Sequence, residues 1–155
     1  DFTISRAAMS TLSRDDFRFF HHLRVRWSEV DPQNIVFNGH YLTYADVAIT
    51  EYYRELGIKY PTDLSRDGSD FFVRKSTLEY NAPAYFDDAL EIGIRTARFG
   101  NSSMSFVMGI WRNNELLTSG EVIYVRANTT ERISQPLPDW LKEKITAYEK
   151  CPPQQ

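Results

Sequence analysis

Residues 38–57 read NGHYLTYADVAITEYYRELG. Apolar side chains recur here at helical spacing. Tyr41, Ala45, Ala48 and Tyr52 form one stripe, and Leu42, Ile49, Tyr53 and Leu56 form an adjoining one. Two joined stripes make an apolar face wider than a surface helix shows, so this helix is expected to be largely buried. Asn38 is a good N-cap, and Gly57 suits the residue just past the C-terminus. Asp46, Thr50, Glu51, Arg54 and Glu55 are left for solvent.

Working outward, residues 22–29 read HLRVRWSE, with Leu23, Val25 and Trp27 alternating against Arg24, Arg26 and Ser28. That period of two predicts a half-buried strand. It runs into Asp31-Pro32-Gln33-Asn34, a turn composition in which Pro fixes φ and Asn tolerates the left-handed region. Beyond the helix, residues 60–70 form a polar connector with Pro61 and Gly68. Four strand-like segments follow, at 71–80, 89–98, 104–112 and 115–125. They are separated by Asn81-Ala82-Pro83, Gly100-Asn101-Ser102-Ser103 and the tight hairpin signal Asn113-Asn114. Residues 138–149 (PDWLKEKITAYE) predict a terminal amphipathic helix with Pro and Asp at its start.

A buried helix beside consecutive antiparallel strands is an α+β layer architecture, most simply one sheet curled around one central helix. Such a sheet has edges, and an unpaired antiparallel edge invites a second copy, so a homodimer or homotetramer is expected. The chain has 155 residues, 42% hydrophobic and 14% aromatic, enough apolar material for one core. Residues 16–150 are expected to be that single domain. Residues 1–15 are expected to be an N-terminal arm or an added remnant, and 151–155 a tail.

The formal net charge of −3 and the lack of a basic stripe argue against nucleic acid as a partner. The single cysteine, Cys151, excludes an intramolecular disulfide and a cysteine metal cluster. No stretch approaches the roughly 20 apolar residues that span a bilayer, and the first residues lack the apolar core of a secretory signal. The expectation is a cytoplasmic protein without a membrane partner. His21-His22 lacks a third ligand, so no metal site is predicted.

Residues 25–53 (VRWSEVDPQNIVFNGHYLTYADVAITEYY) resemble the signature of the 4-hydroxybenzoyl-CoA thioesterase family of hotdog proteins, which includes acyl-CoA thioester hydrolases. In that family a strand leads to Asp-x-x-Gly-x-Val, then an aromatic or Asn pair, then a Tyr in the first helical turn. Asp31, Ile35-Val36, Asn38 and Tyr41 fall on those positions. Residues 81–88 (NAPAYFDD) resemble the family's Ala-Pro stretch, and residues 98–103 (RFGNSS) its Gly-x-Ser turn. The likeness covers roughly residues 20–145. It implies a hotdog fold, hydrolysis of an acyl-CoA thioester, and Asp31 as the catalytic carboxylate. It implies no separate cofactor, coenzyme A being part of the substrate. Two positions depart from the pattern. Asn34 replaces the family's Gly, and Asn is the side chain that best substitutes where φ is positive. Asn38 replaces a common His or Tyr, which leaves the acyl group open rather than 4-hydroxybenzoyl.

Thioester hydrolysis needs a nucleophile or base and a means of stabilising the oxyanion. Asp31 lies a few residues before a helix start, where unpaired N–H groups carry about half a positive charge. Backbone amides around Asn38, Gly39 and His40 could then polarise the acyl carbonyl while Asp31 attacks it or deprotonates water. Asp-Pro is also a common turn opener, and the family likeness is what favours catalysis at Asp31. The His40 side chain is an acid–base candidate that the family pattern does not require. Glu29 reads as a structural or ionic partner. Phe37 and Tyr41 are candidates to line the acyl pocket, and Asp46 to contact substrate or a second copy. Arg98, Asn101, Ser102 and Ser103 could hold coenzyme A phosphates, although a β-turn also favours Gly-Asn-Ser. An acyl-carrier-protein thioesterase and a non-catalytic acyl-CoA binder on the same scaffold are the alternatives.

Overall fold

The computed structural model describes residues 12–155. Its strands are β1 (Phe19–Arg24), β2 (Ser69–Tyr80), β3 (Ala89–Phe99), β4 (Ser103–Arg112) and β5 (Glu115–Asn128). Its helices are α1 (His40–Glu55), the short α2 (Thr62–Ser65) and α3 (Asp139–Tyr148). The strands form one antiparallel sheet in the order β1-β3-β4-β5-β2, which leaves β1 and β2 at the edges. This is the expected α+β hotdog arrangement, a sheet wrapped around one long helix.

The helix follows the expected pattern closely. Tyr41, Tyr44, Ala45, Ala48, Ile49, Tyr52 and Tyr53 are buried, and they meet the sheet face formed by Leu90, Ile92, Ile94, Phe106, Met108 and Ile110. Fully burying one such side chain contributes about 1.5–3 kcal/mol. Leu42, placed on the second stripe by sequence, is instead 43% exposed. Tyr44 takes its place because the sheet covers the other flank of the helix. The C-terminus closes as read. Gly57 has φ +75°, its N–H donates to the Arg54 carbonyl at 3.0 Å, and the Ile58 N–H donates to the Tyr53 carbonyl at 3.0 Å. This paired closure needs a left-handed residue, which Gly supplies without strain.

Two local expectations change. The strand predicted at 22–29 runs from Phe19 to Arg24, because its last partner, Ala89, is the first residue of β3. The chain then closes a 3-10 turn over Trp27–Glu29, where the Glu29 carboxylate accepts the Arg26 N–H at 2.7 Å. Trp27 therefore points outward and is 81% exposed. The connector at 60–70 holds the one-turn helix α2, which the sequence pattern did not signal.

The described residues on either side of 16–150 pack on the same unit. Arg14 lies 4.4 Å above the Phe20 ring and bonds Glu91 at 2.6 Å. At the other end, Gln154 pairs with the end of β3 through the Phe99 N–H (2.8 Å) and the Ala97 carbonyl (2.9 Å). Residues 1–11, within the expected arm, lie outside the described residues.

The Glu149 carboxylate is buried in the core. One oxygen of Glu149 accepts the Tyr52 hydroxyl and the Thr96 N–H, each at 2.7 Å, while its other oxygen has no partner. Burial raises its pKa above the usual carboxylate range against the pull of those bonds and of Arg95 and Arg18. A raised carboxyl pKa contributes stability at low pH that is lost as pH rises through the folded value. Glu149→Gln keeps an acceptor for both donors and carries no charge. The melting temperature of the variant relative to wild type is therefore expected to rise from acidic toward neutral pH. A gap that stays constant across a pH-dependent thermal denaturation series would remove this assignment.

Candidate active site

The segment before α1 folds back on itself. Val30 and Val36 form an antiparallel bridge, the Asp31 N–H donates to the Ile35 carbonyl at 2.9 Å, and the Asn34 N–H donates to the Asp31 carbonyl at 2.9 Å. The Asp31 carboxylate accepts the Gln33 N–H at 2.8 Å, the local turn bond expected of Asp. Asn34 has φ +63°, the left-handed conformation for which Asn substitutes for Gly. The loop is pinned to its neighbours as well. The Val36 N–H donates to the Ala84 carbonyl at 2.9 Å, and the Phe37 N–H to the Glu29 carbonyl at 3.0 Å. Burial pushes Glu29 upward, yet the Arg26 N–H and guanidinium hold it below the usual carboxylate range. It therefore serves as the ionic and structural partner of this turn.

Asp31 opens onto a cleft of about 310 Å³, whose walls include Ile35, Val36, Asn38, Tyr41 and Tyr80 together with residues 81–83. The far wall is fixed by Arg112, which donates to the Pro83 carbonyl at 3.1 Å and to Asp88 at 2.8 Å. Tyr41 is buried beneath the cleft, and its hydroxyl accepts the Ala84 N–H at 3.2 Å.

The helix start differs from expectation in its details. The N-cap is Gly39, and no side chain caps the helix, so Asn38 does not cap α1. The His40 N–H is taken by the Phe37 carbonyl at 2.9 Å, which removes it from the expected set of free amides. The Tyr41 N–H reaches the Asn38 carbonyl at 3.4 Å. Among the described residues, no acceptor takes the N–H of Asn38 or of Gly39. Each follows a carbonyl turned along the helix, so both amides face out of its N-terminus. Phe37 is 48% exposed, its ring lying edge-on to His40 at 5.7 Å and over Gly39, where an added Cβ would sit 2.8 Å from it. The His40 ring thus packs on Phe37 and is not among the side chains lining the Asp31 cleft.

Other sequence candidates lie elsewhere in the chain. Asp46 is exposed on α1, eight residues and about 12 Å beyond Asn38. It shares a small pocket with Tyr53, Tyr60, Asp70 and Tyr124. Arg98, Asn101, Ser102 and Ser103 stand at the Phe99 end of β3, whereas the Asp31 loop joins its Ala89 end through Ala84 and Asp88. The 11 residues of β3 separate the two by roughly 33 Å. The turn at 100–103 is structurally engaged, with the Asn101 and Ser102 carbonyls accepting the Leu137 and Arg126 N–H groups at 2.9 and 2.8 Å. A wider cleft of about 520 Å³ lies beyond the C-terminal end of α1, among Lys59, Arg66, Arg126, Trp140 and Lys144. It is the larger hollow but contains none of the Asp31 machinery. The residue that sequence reasoning passed over is Tyr80. It ends β2 just before the Asn-Ala-Pro break, and that position at the strand's end was the available signal.

One antiparallel sheet wrapped on one long helix defines the hotdog class. The chain belongs to the thioesterase superfamily, whose family profile matches residues 33–119. It is 31% identical over 117 residues to the acyl-CoA thioester hydrolase YbgC of Escherichia coli O6:H1, covering 75% of this chain and 87% of that one. It is 26% identical over 107 residues to the acyl-CoA thioesterase YbgC of Haemophilus influenzae, covering 69% and 79%. Its fold matches Slr0204, a 1,4-dihydroxy-2-naphthoyl-CoA thioesterase from Synechocystis, with TM-score 0.76 at 17% identity over 82% of this chain and 94% of that one. PA5185 of Pseudomonas aeruginosa matches with TM-score 0.75 at 24% identity, covering 88% and 94%.

The positive φ of Asn34 gives a direct test of the turn. Asn34→Gly is expected to leave the melting temperature nearly unchanged. Asn34→Val should cost about 1–2 kcal/mol, the ordinary penalty for a side chain forced into that region. Calorimetric melting of the two variants beside wild type checks this.

Proposed function

We propose that this chain hydrolyses acyl-CoA thioesters to the free acid and coenzyme A. Asp31 is the reacting carboxylate, and the N–H groups of Asn38 and Gly39 are the oxyanion donors. The observation that carries this reading is Asp31 sharing one cleft with a helix N-terminus at which two backbone amides have no acceptor. The names of the relatives agree with that chemistry. No cofactor enters the reaction, because coenzyme A arrives as part of the substrate.

Two routes use the same groups. As a general base, the Asp31 carboxylate takes a proton from water while the hydroxide forms a bond to the thioester carbon. The carbonyl π electrons move onto oxygen, facing the two amides. Collapse of this intermediate breaks the carbon–sulfur bond, and the departing thiolate takes the proton from Asp31. As a nucleophile, Asp31 itself forms the bond and expels the thiolate, leaving an anhydride that water then cleaves. Losing one oxyanion donor costs about 10²–10³ in rate in either route.

The coenzyme A end of the substrate requires a second copy. β2 is an edge strand with Phe72 and Val73 48% and 56% exposed. Antiparallel pairing of β2 with its equivalent about a twofold axis sets the Phe71 end of one strand beside the Tyr80 end of the other. That arrangement brings the end of the sheet bearing Arg98, Asn101, Ser102 and Ser103 toward the Asp31 cleft of the neighbouring copy. Within one chain those residues are too distant to hold the phosphates of a thioester at Asp31. Phe37 and Tyr41 border the acyl end of the same path.

Asp31→Ala is expected to lower kcat by about 10²–10⁴, the range for a removed general base, on a panel of acyl-CoA substrates followed by thiol release. Equal turnover in both proteins would remove Asp31 from the mechanism. After single-turnover hydrolysis in ¹⁸O-labelled water, label in the Asp31 carboxylate marks the anhydride route with water attacking the Asp31 carbonyl. Trapping of an acyl-Asp31 adduct by hydroxylamine marks it when water attacks the acyl carbon. Val73→Lys places a charge on the unpaired edge. Light scattering should then show a shift from dimer to monomer, and kcat/KM should fall with it.

A further inference from the structure

The Asn38 carbonyl accepts two donors, the Tyr41 N–H at 3.4 Å and the Tyr80 hydroxyl at 3.3 Å. The Asn38 carbonyl and the Gly39 N–H are opposite ends of one planar peptide, and in the trans form they point in opposite directions. Any group that fixes the carbonyl therefore also aims the N–H. Gly39 carries no side chain that could do this, and α1 has no side-chain cap.

Tyr80 is itself held from two sides. Its backbone is the last rung of the β2–β5 ladder, opposite Thr118, and the next two N–H groups, of Asn81 and Ala82, both donate to the Leu117 carbonyl. Its ring lies 5.4 Å from that of Tyr41, tilted at 66°. Tyr41 is locked in turn by the Ala84 N–H on its hydroxyl. The Tyr80 hydroxyl is thus placed by the end of a strand and by a buried ring.

We propose that Tyr80 is a positioning residue for the oxyanion donor: its hydroxyl holds and polarises the Asn38 carbonyl so that the Gly39 N–H projects from the α1 N-terminus toward the thioester oxygen. This rests on the reading of Asp31 and the two free amides given above. A hydrogen bond accepted by a peptide carbonyl strengthens the same peptide's N–H as a donor. At 3.3 Å the Tyr80 bond is longer than the usual range for a hydroxyl donor. When negative charge builds against the Gly39 N–H, the peptide dipole grows and this bond shortens. Its contribution is then greater in the transition state than in the bound substrate, which affects kcat rather than KM.

Tyr80→Phe removes the hydroxyl and keeps the ring against Tyr41. Steady-state kinetics on the acyl-CoA that wild type turns over fastest should show kcat reduced about three- to tenfold, less than the roughly 10²–10³ of losing a donor outright. KM should stay within about twofold of wild type and the melting temperature should not move, since the bond is exposed and acts only on the peptide. An unchanged kcat overturns the proposal. So does a rise in KM at constant kcat, which would place the hydroxyl on the substrate, or a fall in melting temperature that accompanies the kinetic loss, which would make the role structural. Asp31→Ala in the same assay separates the two levels. Full turnover by that variant overturns the catalytic reading itself. Inactive Asp31→Ala beside fully active Tyr80→Phe overturns only the role of Tyr80.

Discussion

Burial of α1 is the constraint on which the rest of this structure depends. Seven of its side chains are buried, and Tyr52 at its centre is fully enclosed. Rings of Phe19, Phe106 and Tyr148 meet Tyr52 edge-on at 5.7, 5.6 and 5.9 Å, so one residue of the helix touches the edge strand β1, the central strand β4 and the terminal helix. A helix with that much apolar surface has to be covered along its length. Its two ends then carry the unsatisfied backbone groups that no helix can pair internally.

The two ends resolve that demand in opposite ways. At the C-terminus, Gly57 and Ile58 turn back and satisfy the last carbonyls within the chain. At the N-terminus no side chain caps the helix, and the amides of Asn38 and Gly39 face outward. The loop carrying Asp31 is tied by its bridge to Val36 and by bonds from Val36 and Phe37 to the neighbouring backbone. Asp31 and Asn38 line the same cleft, so the carboxylate and one of the two amides without an acceptor among the described residues share one opening.

Much of this was legible in the sequence, for identifiable reasons. Gly57 and Asn34 were readable because positive φ strongly restricts the choice of residue, and both adopt it. The four strands after the connector were readable because polar turn residues separate their apolar runs, and each observed strand lies within three residues of the expected bounds. The first strand was less so. Alternation continued through Trp27, but pairing stopped at Arg24 because β3 begins at Ala89. Periodicity reports which residues could face a core and not where a partner strand ends. Leu42 is exposed for the same kind of reason, as the helix face that is covered depends on where the sheet curls.

The sequence by itself determined the class of the fold and the helix that anchors it, because these follow from local spacing and from φ preferences within a few residues, whereas Asp31 was singled out by the family likeness. Only the structure showed which amides remain free, because the turn geometry by which the Phe37 carbonyl takes the His40 N–H is not specified by residue type. It alone brought Tyr80, 42 residues away in the chain, onto the Asn38 carbonyl. It also placed the turn at 100–103 a full strand length from Asp31, a separation set by the antiparallel register of the sheet and invisible to any local pattern.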